Sequence, residues 1–125
     1  MGATTFQNSG RTFTATAVAI EAYSLVAVDA NGEISVAGDN ATDKVIGVTT
    51  EDVAASGNGN VRLLNAGGTS EIMCGGDTIA VGDTVYCDGA GKIGTDSSNT
   101  KVGYALGASA ADGDVIEVIV HAHFI

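Results

Sequence analysis

The chain has no proline and no tryptophan, only six other aromatic residues, two cysteines, and five basic residues against fifteen acidic ones. Each shortage excludes something. A net charge of −10 argues against nucleic acid as a partner, because phosphate recognition needs clustered Lys and Arg. Cys74 and Cys87 are too few for a disulfide scaffold and fit no zinc spacing. They are expected to be small buried hydrophobes on separate strands, with a bond between neighbouring strands left open. No apolar run approaches the ~20 residues of a membrane-spanning helix. The opening MGATTFQNSG has no basic segment followed by an apolar one, so synthesis in a cytoplasm is expected. The scarcity of aromatics weighs against a glycan- or receptor-binding β-module, the rival reading, because such modules stack exposed rings on sugars.

No signature of catalysis is present either. The chain lacks a phosphate loop opening a helix, an HExxH pair and a nucleophile elbow, so it is read as a non-enzyme without cofactors. Glu51-Asp52 and Asp112 with Asp114 read as solvated loop charges. Asp77, Asp83 and Asp88 lie in a Gly-rich stretch and read as turn aspartates rather than calcium ligands, since calcium-binding β-rolls need tandem repeats. His121 and His123 would share one face of a strand, but no third metal ligand is evident.

What the chain does contain is β-grammar. It has 14 Val and 9 Ile against 4 Leu, with 13 Thr and 18 Gly. Branched side chains are stiff at χ1 and fit a pleated surface, while glycine supplies turns. The fold class that follows is all-β, a small sandwich or barrel. VAVDANGEI at 26–34 returns as VYCDGAGKI at 85–93, 59 residues later. A Lys-Val strand follows each copy, at Lys44 and Lys101. Then come a glycine, a small segment (AASG at 54–57, AADG at 110–113) and a Val-led strand at Val61 or Val115. Two related repeats of about 60 residues, near 18–74 and 78–125, are therefore expected within one β domain spanning 12–125.

Residues 1–11 carry no period and read as a flexible arm. A strand is expected from Thr12 to Ile20, and another, buried on both faces, over Leu25–Ala30. Asn31-Gly32 predicts a tight hairpin turn with positive φ at both residues. Gly47 predicts a bulge or a close backbone approach. Loop 51–59 has room for one helical turn. Asn60–Ala66 and Thr69–Cys74 are expected to pair about Gly67-Gly68, and a short strand is expected over Thr78–Val81. In the last strand Ile116, Val118, Val120, Ala122 and Phe124 should face the core.

Taken together in order, GDTVYCDGAGK at 82–92 and GYALGASAADGDVIEV at 103–118 are similar to phrases of small tailed-phage capsid decoration (cement, head-stabilising) proteins. The resemblance covers about residues 18–120. It implies a structural virion protein on the outer surface of an icosahedral head, commonly a homotrimer, clamping neighbouring major capsid proteins. It also implies an N-terminal arm reaching onto the capsid, which makes Phe6, Arg11 and Phe13 the candidate contacts. The closing HAHFI has no counterpart in that resemblance. A small Ala/Val-rich core agrees with a protein that gains buried area by assembly.

Overall fold

A computed structural model describes residues 10–38, 44–64 and 68–120. Ten strands occur in it: β1 (Gly10–Thr14), β2 (Leu25–Val28), β3 (Ile34–Val36), β4 (Val45–Thr49), β5 (Asn58–Leu63), β6 (Thr69–Gly75), β7 (Thr84–Gly89), β8 (Lys92–Gly94), β9 (Lys101–Ala105) and β10 (Asp112–Val120). The described residues contain no α-helix. The fold is all-β, as the composition requires.

The strands form two five-stranded sheets. The first has the order β1-β5-β4-β2-β3, and the second is a closed barrel ordered β10-β6-β8-β7-β9. Opened between β6 and β8, the barrel reads β6-β10-β9-β7-β8, which is the first order advanced by five strands. The repeat noticed in the sequence is thus a repeat of topology. Gly10 pairs with Arg62 in the first half, where Thr69 pairs with Ile119 in the second. A register shift at Val26/Ala27 is repeated at Val85/Tyr86. The second half closes through a parallel contact, Cys74 with Ile93, and the first through an isolated parallel bridge, Ala15 with Ile34. Both contacts stand 59 residues apart along the chain.

Several expectations change. The Asn60–Ala66/Thr69–Cys74 hairpin does not form, because β5 pairs with β1 and β4 while β6 pairs with β10 and β8. Each apolar strand finds its partners inside its own half. The Thr12–Ile20 strand is shorter: β1 starts at Gly10, within the segment read as arm, and ends at Thr14, leaving Ala17, Val18 and Ala19 exposed. Only Ile79 of Thr78–Val81 makes a ladder contact, a bridge to Ser109. Loop 51–59 holds no helical turn; Val53 bridges Ile20 and β5 begins at Asn58. Val61 matches Val118 rather than Val115: both are fully buried, whereas Val115 faces out. Ala122 and Phe124 lie outside the described residues; Ile116 and Val118 face the core as expected.

The two hairpins also turn differently. At Asn31-Gly32 only Gly32 takes positive φ (77°); Asp29 accepts the amides of Asn31 and Glu33 and closes a longer loop. The two-residue turn with positive φ at both positions is Ala90-Gly91 (52° and 76°).

Equivalent core positions exchange volume. Gly59 in the first half stands where Ile116 stands in the second, and Val53 stands where Ser109 stands. A methyl added at Gly59 would overlap Val53 Cγ2, so the valine fills the space that Ile116 occupies across the molecule. Gly47, as expected, marks a close approach: a side chain there would meet the Arg62 carbonyl and Val61 Cγ1.

One apolar cluster lies inside the first half, with Ile20, Val26, Ile34, Val53 and Val61. The other fills the barrel and extends across the junction to Leu25, Ala37, Val45 and Val48. Leu25 and Val26 are both fully buried, so β2 serves both clusters. The halves are also stitched by backbone. The Leu25 amide donates to the Gly91 carbonyl at 2.7 Å, the Gly91 amide to Ala37 at 2.9 Å, and the Met73 amide to Tyr23 at 2.9 Å.

Two stability predictions follow from these contacts. A Cβ at Gly91 would lie 3.0 Å from the Leu25 carbonyl, whereas one at Gly32 meets nothing within 4 Å. G32A should cost about 1–2 kcal/mol for the left-handed backbone alone, and G91A about 2–5 kcal/mol, because crowding is added. Equal losses on denaturant unfolding would show that the junction yields freely. Second, V53S and G59I should each destabilise, and the double variant should recover part of the loss by importing the other half's solution. A strictly additive double-mutant cycle would refute the exchange.

Candidate functional site

The junction leaves a groove of about 400 Å³ between β4 and β6. Its walls come from both halves: Tyr23, Thr49, Thr50 and Arg62 from the first, and Thr69, Glu71 and Glu117 from the second. Tyr23 sits at φ 64°, where the second half has Gly82 at φ 93°. Left-handed backbone is costly for a residue with a Cβ. The conformation is held because the Tyr23 amide donates to Thr49 while its carbonyl accepts from Met73. Across the groove the Thr69 hydroxyl donates to Glu117 Oε2 at 2.6 Å, and Arg62 Nε donates to the Thr69 carbonyl at 3.1 Å. Glu117 faces Glu71 directly in the β10–β6 ladder.

Hydroxyls, two carboxylates and a guanidinium can hydrogen-bond a partner. Among the described residues the groove lining includes no thiol or imidazole. The described residues contain no group of three His, Cys, Asp or Glu able to hold a metal ion. The turn aspartates have local work: Asp77 accepts the Thr95 amide at 2.9 Å, and Asp83 accepts the Ala80 amide at 2.9 Å.

Beside the groove lies the outward face of β10 and the end of β9. Leu106, Val115 and Ile119 are 44%, 38% and 42% exposed there. Ile119 stands opposite Tyr104, and the Leu106 amide donates to the Glu117 carbonyl at 2.8 Å. The alternation of the last strand places Val115, Glu117 and Ile119 on the side away from the core, but it does not show that they and Leu106 form one exposed patch. The signal was available, since Val115 and Ile119 alternate out of phase with the core residues Ile116 and Val118. It could not be used without knowing that no other layer covers that side.

Of the three residues singled out as capsid contacts, Phe6 lies outside the described residues. Arg11 and Phe13 share one face of β1, and the guanidinium lies 4.9 Å from the ring centroid. Phe13 is half-buried against the first cluster, in the place that Ile72 takes in the second half. Neither lines the groove. His121 and His123 also fall outside the described residues. Neither cysteine is in a disulfide; both are buried, on β6 and β7, opposite Ile93 of the intervening β8, which separates them.

The chain matches the phage cement protein family over residues 7–120, and it belongs to that family. It is also similar to the crystal structure of the head fiber gp8.5 N base of bacteriophage phi29, with a TM-score of 0.69 and 25% identity. That match covers 90% of this chain and 94% of the other. A search of curated proteins gives no match. The protein is a head-associated structural protein of the phage virion.

Burial pushes the Cys74 thiol up from its ordinary pKa; a hydrogen bond with Ser109 opposes this, and the charge of Asp114 adds to it. The unfolded chain therefore loses the Cys74 proton first as pH rises. The stability linked to this thiol is intact below the ordinary thiol pKa of about 8.5 and declines above it. C74A places there the residue found at the equivalent Ala15, and it should flatten the alkaline decline in denaturant midpoint. An unchanged slope between pH 8 and 10 would assign the decline to other groups.

Proposed function

We propose that this protein binds the outer surface of an icosahedral phage head and stabilises it by clamping neighbouring major capsid proteins. The observation that carries the reading is the family match over nearly the whole chain, joined to a fold shared with a phage head fiber base. The physical properties agree with it. A five-stranded sheet and a closed barrel, joined by backbone hydrogen bonds and a shared apolar cluster, make the kind of body a clamp needs. The groove offers recognition chemistry rather than a reacting pair.

The attached form is a homotrimer in this proposal. Three bodies acting together gain avidity over one, so each contact can be weak. The N-terminal segment supplies one contact, through Phe6, Arg11 and Phe13. Arg11 is exposed at the start of β1. An extended segment that orders on a partner can add main-chain hydrogen bonds to a sheet edge there.

The test is cosedimentation of the purified protein with expanded heads lacking it, with light scattering of the free protein. Attachment to heads is expected, and a mass of about three times 12.4 kDa is expected for the trimer. Removal of residues 1–9 should weaken attachment at least about ten-fold while leaving the unfolding midpoint unchanged. A protein that never attaches to heads ends the reading, and a truncated form that attaches like the full chain removes the arm from it.

A further inference from the structure

The internal duplication provides a control for surface residues. Thr50, Asn58, Asn60 and Arg62 in the first half occupy the places of Leu106, Val115, Glu117 and Ile119 in the second. The match is set by the hydrogen bonds themselves: the Thr50 amide donates to Asn60 as the Leu106 amide donates to Glu117. The first version is a polar face, in which Asn58 accepts from Thr14 at 2.7 Å and Asn60 donates to Thr50 at 2.9 Å. The same backbone therefore folds with polar residues at these positions. The apolar set in the second half is not required by the fold, and it leaves three large side chains in water.

We infer that the outer face of β9 and β10, built on Leu106, Val115 and Ile119 around Glu117, docks onto a protein surface that presents apolar side chains and a Lys or Arg. The inference rests on the head-attachment reading and supplies the second contact that a clamp requires beyond the arm. Charge decides the kind of occupant. Where the first half has neutral Asn60, this face has a carboxylate at its centre, with Glu71 beside it on β6. A second copy is a poor complement, because the chain carries −10 and four of its five basic residues are engaged at home. Arg11 lies over Phe13, Arg62 bonds the Thr69 carbonyl, Lys92 pairs with Asp112 at 2.9 Å, and Lys101 bonds Tyr104 at 2.9 Å. A basic partner gains both the apolar contact and the charge pair, and long-range attraction speeds the encounter.

The test exchanges the faces. L106T, V115N and I119R together install the residues of the first half, and E117N alone removes the central charge. Each is measured for the unfolding midpoint, for mass by light scattering and for binding to expanded heads at several salt concentrations. The triple variant should keep its midpoint and mass and bind heads at least about ten-fold more weakly. E117N should bind with a shallower salt dependence than the parent. Wild-type binding by the triple variant overturns the inference. So does a fall in its mass, which would make this face the contact between copies. Failure of the unaltered protein to bind heads is seen in a separate arm, and it sinks the attachment reading together with the face that depends on it.

Discussion

The amide of Gly91 donates to Ala37, and its carbonyl accepts from Leu25, whose own carbonyl accepts from Ala37. This ring of three backbone groups joins the tip of one hairpin to the opening strands of the other half. A side chain at Gly91 would be crowded by Leu25, Ser24 and Val36 at 3.0–3.3 Å, on a left-handed backbone. The buried amides are satisfied there without water, so the larger apolar cluster can continue from the barrel into Leu25, Ala37, Val45 and Val48. Together with the Met73–Tyr23 bond, the ring links two halves that would each be short of buried area alone.

A duplicated fold diverges where its two copies face different surroundings. Closure, strand order and the shift at Val26/Ala27 and Val85/Tyr86 are retained, whereas the shifts at Cys87/Gly89 and Asp112/Val115 occur only in the second half. Core contents drift in compensating pairs, as with Val53 and Gly59 against Ser109 and Ile116. The turns have separated in role. Gly32 stands in open space at a free tip, while Gly91, 59 residues on, is enclosed in the junction. Outer faces have separated most, from Asn, Thr and Arg on one to Leu, Val and Ile on the other. A surface is the part that folding constrains least, so its contrast between copies points to interaction rather than stability.

The functional reading has the same physical logic. The chain belongs to a family of structural head proteins, and the groove holds residues suited to recognition. Its surface is acidic, with four of the five basic side chains engaged in contacts of their own. What such a body offers a partner is shape, stiffness, a few exposed apolar side chains and negative charge.

Composition determined the all-β class, because Val, Ile and Thr favour a pleated surface and glycines supply the turns. The spacing of VAVDANGEI and VYCDGAGKI determined that the chain repeats itself, and the ordered phrases from Gly82 to Val118 were enough to indicate the family. The alternation of the last strand identified Ile116 and Val118 as core. Strand partnership was decided only in three dimensions. Two apolar strands on either side of Gly67-Gly68 look like a hairpin locally, yet β5 pairs with β1 and β4, and β6 with β10 and β8. The difference between Gly32 and Gly91 was equally invisible, since identical turn residues differ only in what packs against them. The groove and its neighbouring face were decided there too: their residues are distant in the chain, and exposure is a property of which layers are absent.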